Sequence, residues 1–60
     1  MTEEKMDDFT ATMIAEGVEE ADYHRTVEAW QYLHDTGLAS RLQGWFGRTA
    51  QSLIDQGIIG

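Results

Sequence analysis

Apolar residues recur along this chain at the three- and four-residue steps of a helix. Met6, Phe9, Met13 and Ile14 form one such series, Tyr23, Val27, Trp30, Leu33 and His34 a second, and Leu38, Leu42, Trp45, Thr49 and Leu53 a third. Each series runs into the same short pattern: MIAEGV at 13–18, LHDTGL at 33–38 and LIDQGI at 53–58. An apolar residue, three others, a glycine and another apolar residue describe a helix closed by a left-handed glycine, with the following side chain folded back on the one before. The glycines at 17, 37 and 57 therefore read as three stops. The residues between them do not otherwise match, so helix ends explain the echo better than a duplicated unit.

This punctuation predicts an all-α, three-helix domain with helices over about 3–16, 19–36 and 39–56. Thr2 is a candidate N-cap, and Glu3, Glu4, Asp7 and Asp8 fall near the first helix's start, where negative charge suits the helix dipole. The short connection at Gly37 makes the second and third helices an antiparallel hairpin, pairing Val27, Trp30 and Leu33 with Leu42, Trp45, Thr49 and Leu53. In the third helix, Phe46, Ala50 and Ile54 widen the apolar arc well past the ~100° stripe that one neighbour requires. The surplus predicts a homodimer or higher homo-oligomer. Gly44 and Gly47 each cost about 1 kcal/mol relative to alanine inside a helix. One helix bent near Gly44 is the reading adopted, with a short helix followed by a turn as its competitor.

Sixty residues bury only about 60 % of the surface their unfolded form exposes, which makes a pocketed enzyme hard to build. Cysteine is absent, so no disulfide or thiolate zinc site adds stability. The longest apolar runs fall far short of the roughly 20 residues that cross a bilayer, and the acidic start MTEEKMDD is unlike a signal peptide. A soluble, intracellular protein with no membrane partner is expected.

The net charge of −7 lies entirely in the first 22 residues, where Glu3, Glu4, Asp7, Asp8, Glu16, Glu19, Glu20 and Asp22 face Lys5 alone. From Tyr23 onward Glu28, Asp35 and Asp55 balance Arg25, Arg41 and Arg48. Phosphate recognition needs clustered basic residues, so direct nucleic-acid binding is not expected. An acidic half suits a basic protein surface.

Catalytic and metal chemistry find little footing. Glu20 and His24 share a helical face, but two ligands without an HExxH pattern do not make a metal centre, and His34 near a helix end has an ordinary dipole role. Ser40 and Ser52 lack a nucleophile-elbow context, and LQGWFGR lacks the lysine and hydroxyl of a phosphate loop. No enzyme activity, cofactor or metal is expected. Aromatic residues dominate both cores and interface hot spots. Trp30 and Trp45 read as core, while Tyr32 falls opposite the main apolar face of its helix. Arg41 and Arg48, seven apart, border the third helix's apolar arc. The partner-binding candidates are Tyr32, Arg41, Phe46, Arg48 and Ile54, with Glu16, Glu19 and Glu20 from the acidic half.

The run YLHDTGLASRLQGWFGRTAQSLIDQGII resembles a recurrent pattern among small bacteriophage proteins without an assigned activity. The likeness is carried by Thr36, Gly37 and Leu38, by Leu42, Gln43 and Gly44, by Phe46, Gly47 and Arg48, and by Leu53, Ile54, Asp55 and Gly57. It spans about the C-terminal half, and Ser40 stands where such proteins more often carry a bulky aromatic residue. The resemblance implies a phage origin and a small acidic accessory protein that binds host machinery in the host cytoplasm, blocking or redirecting it. The competing expectation is a structural or assembly protein that oligomerises through its third helix.

Overall fold

The computed structural model describes residues 6–60, and the proposed cap at Thr2 lies outside them. The described chain is all-helical: α1 (Asp8–Ala15), α2 (Tyr23–Asp35), α3 (Leu38–Arg41) and α4 (Gly44–Asp55) follow in order. α1 packs on α2, α3 packs against the α2 it follows, and α4 packs on α3.

All three glycine stops are present, with φ of +80° at Gly17, +81° at Gly37 and +78° at Gly57. A side chain there would meet its own carbonyl, so these positions favour glycine. The first and third closures carry both Schellman hydrogen bonds. Gly17 N–H donates to Ile14 O and Val18 N–H to Met13 O, both at 3.0 Å, and Gly57 and Ile58 donate to Ile54 O and Leu53 O at 2.9 Å. The middle closure is truncated. Gly37 N–H reaches His34 O at 3.1 Å, but Leu38 N–H turns to the Thr36 hydroxyl at 3.4 Å because Leu38 already opens α3.

Helix starts lie further along the chain than the apolar spacing suggests. Asp7 caps α1, its Oδ1 accepting Thr10 N–H at 2.7 Å, and Asp22 caps α2 by accepting Arg25 N–H at 2.8 Å. An aspartate in extended geometry satisfies an otherwise orphaned N–H of the first turn, which starts each helix at that point. The second helix thus begins at Tyr23 instead of about Glu19.

The expected third helix is two helices. Leu42 (φ −83°, ψ −172°) and Gln43 (φ −59°, ψ 155°) are extended, so the chain breaks just before Gly44. Gly44 opens α4, and a Cβ on Gly47 would meet Ala39 O at 3.6 Å across the α3–α4 contact. Gly44 thus marks the corner, while Gly47 sits at ordinary contact distance from α3. The corner also turns α4 relative to the predicted hairpin face: Phe46 and Ala50 are buried, whereas Trp45, Thr49 and Leu53 are half-buried.

The core consists of Ala11, Ile14, Ala29, Trp30, Leu33, Ala39, Phe46, Ala50 and Ile59, and every buried side chain among the described residues is apolar. Aromatic rings join α2 to α4. The Trp30 ring centroid lies 5.9 Å from that of Phe46 and 6.3 Å from that of Trp45, and Trp45 stacks on Phe46 at 4.0 Å. The edge-on contact of Trp30 with Trp45 is of the kind the ring quadrupoles favour. After Gly57 the chain returns to this core. Ile59 is buried, and the Gln31 amide grips Gly60, donating to its carbonyl and accepting from its N–H at 3.1 Å each.

α1 departs most from expectation. Phe9 and Met13 were expected on its inward face with Ile14, but Phe9 is 72 % exposed and the buried residues are Ala11 and Ile14. At 100° per residue those two point well away from Phe9. Alanine lets α1 approach α2 closely, where phenylalanine would hold it off. Tyr23, expected on the inward face of α2, is 67 % exposed.

Candidate functional site

The eight residues singled out as partner-binding separate into distinct environments. Phe46 is only 2 % exposed and wedged among Trp30, Trp45 and the core, where it serves as a packing residue. Ile54 is half-buried on α4, in a small recess of about 160 Å³ also lined by His34, Ala39, Gly47 and Ala50. Arg41 and Arg48 are exposed and make no ion pair among the described residues. Asp55, an obvious carboxylate for Arg48, instead accepts from the Gln51 amide at 3.0 Å.

Tyr32 is not exposed. It is half-buried, and its hydroxyl donates to Asp8 Oδ1 at 2.6 Å, tying α2 to the first turn of α1. That hydrogen bond, followed by desolvation and the charges of Asp8 and Asp7, pushes the Tyr32 phenol above its ordinary value. Asp7 shifts the other way. Its bonds from the Thr10 backbone and side chain hold the carboxyl below its ordinary value.

The acidic candidates remain available to a partner. Glu16, Glu19 and Glu20 are exposed at the α1–α2 connection, and their carboxylates make no hydrogen bond or ion pair among the described residues. Asp22 stands beside them with its oxygen committed to capping α2. Together with Ile14, Gly17, Ala21 and Thr26, the residues Glu19, Glu20 and Asp22 line a broad open concavity of about 700 Å³. Residues 6–22 carry six carboxylates and no basic side chain, and all six are exposed. The one ion pair among the described residues, Arg25 with Glu28 at 3.4 Å, lies on α2 outside this segment.

Two exposed apolar residues in this segment escaped the sequence reading. Phe9 is 72 % and Val18 64 % exposed, and both adjoin the carboxylates along the chain. The signal that could have found them is the alternative inward face of α1: Ala11 and Ile14, three apart, make a narrower stripe that leaves Phe9 out.

Among the described residues no group of three or more histidine, cysteine, aspartate or glutamate side chains is placed to hold a metal ion. No helix among them is long and apolar enough to cross a membrane. Searches of curated proteins and of solved structures return no match to the chain. A family model matches residues 3–60, nearly the whole chain, and the protein therefore belongs to the family described as a domain of unknown function (DUF7417).

Proposed function

We propose that this is a non-enzymatic, phage-type accessory protein that acts in the host cytoplasm by binding a basic surface of a host protein, inhibiting or redirecting it. The observation that carries the reading is the run of exposed carboxylates across residues 6–22, with Glu16, Glu19 and Glu20 unengaged and no basic side chain in the segment to neutralise them. Concentrated charge of one sign steers encounter with the opposite sign and suppresses pairing with like surfaces. A host surface that ordinarily meets nucleic acid has the matching chemistry.

The assembly reading, in which copies join through the third helix, has less to rest on. The large apolar side chains of α4 are buried or half-buried within one chain, and the exposed large apolar groups among the described residues are Phe9, Val18 and Tyr23.

Affinity capture from host lysate, repeated at about 50 mM and about 500 mM salt, tests the proposal. Between those conditions the screening length falls from about 14 Å to about 4 Å. The expected result is a captured protein with a basic surface, whose recovery falls at high salt and in the triple variant Glu16→Gln, Glu19→Gln, Glu20→Gln. A complex indifferent to both changes would falsify the charge-led reading.

A further inference from the structure

α1 presents two apolar faces, and the domain uses one. Ala11 and Ile14 are spent on the core, while Phe9 and Met13, four apart, share the other side of the helix with Glu16, three residues further on. The glycine closure extends this side. Val18 N–H donates to Met13 O at 3.0 Å, and the Schellman geometry sets the residue after the glycine against the one five before it. Phe9, the half-buried Met13 and Val18 thus form an apolar strip, 72 % exposed at Phe9 and 64 % at Val18, with Glu16, Glu19 and Glu20 beside it.

We infer that this strip is the docking face for a basic amphipathic helix of the partner. The inference rests on the proposed binding function and names the surface and the kind of segment it takes. Charge decides between occupants. A second copy would bring the same six exposed carboxylates against themselves, whereas lysines and arginines flanking an apolar stripe would meet them favourably. Length sets the form: Phe9 to Met13 rise about 6 Å along α1 and Val18, folded back beside Met13, adds one more side chain, enough to take apolar residues at i and i+4 of a docked helix.

The probe is an 18-residue helical peptide of leucine and lysine with all leucines on one face. A comparator holds the same residues reordered so that the leucines are scattered. Calorimetric titration should show the amphipathic peptide binding at least tenfold more tightly than the comparator. Binding should weaken at least tenfold in the double variant Phe9→Ser, Val18→Ser and stay unchanged in Tyr23→Ser, which removes an equally exposed apolar group outside the strip. Because Phe9 and Val18 are exposed, circular dichroism should show the double variant folded. No measurable binding of the amphipathic peptide, equal affinity for both peptides, or indifference to the double variant each overturns the docking face. If in the last case binding is still lost in the Glu16→Gln, Glu19→Gln, Glu20→Gln variant, the charge-led function survives and only its assigned surface fails. A dimer that the double variant dissociates in sedimentation velocity also overturns it, since the occupant is then a second copy.

Discussion

Asp7 shows how one side chain sets where this structure begins. Its carboxylate accepts the Thr10 N–H that the first turn of α1 leaves without a partner, and that bond lowers its pKa in the folded protein. A carboxyl whose folded pKa is depressed contributes stability above its unfolded value, about 3.9, and loses it as pH falls through the folded one. Asp7→Ala should therefore melt below the parent at neutral pH, and the gap should narrow as thermal melts are run at successively lower pH, from about 7 to about 2.5. A gap constant over that range would show that the cap contributes through geometry alone. Asp22 occupies the equivalent capping position on α2, accepting Arg25 N–H. Both caps were present in the letters as an aspartate just ahead of a helical segment, but apolar periodicity passes over them because it registers only which residues share a face.

At the scale of elements, Gly47 and the glycine stops call for opposite predictions. Gly47 lies within α4 at ordinary helical geometry, and an added Cβ would rest at normal contact distance, 3.6 Å, from Ala39 O. Gly47→Ala should stabilise the protein by about 0.5–1 kcal/mol through helix propensity and a less flexible unfolded chain. Gly57 meets nothing within 4 Å, yet its φ of +78° makes the same change unfavourable by about 1–2 kcal/mol. Urea unfolding of both variants checks the pair, and shifts of the same sign would contradict this account. The break at Leu42 and Gln43 was legible only as a choice between a bent helix and a short helix with a turn. Its cause is tertiary: the corner sets α4 so that Phe46 and Trp45 reach Trp30, which local spacing does not encode.

For the molecule as a whole, the aromatic wedge between α2 and α4 carries much of the stability that a 60-residue chain can gather. Phe46 is among its largest fully buried side chains. Phe46→Ala should cost about 3–5 kcal/mol, close to the whole margin of a small domain. Far-ultraviolet circular dichroism at 25 °C should then show a largely unfolded chain. A folded variant with an unchanged melting point would mean that the wedge is held by other contacts. The same burial redirects the functional reading. A helix expected to offer Phe46 and Ile54 to a partner turns them inward, and the outward apolar surface moves to α1.

What the sequence determined by itself is local or additive. Glycines at 17, 37 and 57 mark helix ends because the left-handed backbone there is a property of single residues, and the segregation of acids into residues 1–22 is a matter of counting. What only the tertiary structure decided is which of two apolar faces each helix spends on the core. Spacing groups Phe9 with Met13 and Ala11 with Ile14 equally well, and close packing against α2 selects the alanine side. Phe9 is left to the solvent because the small side chain of Ala11 allows the nearer approach.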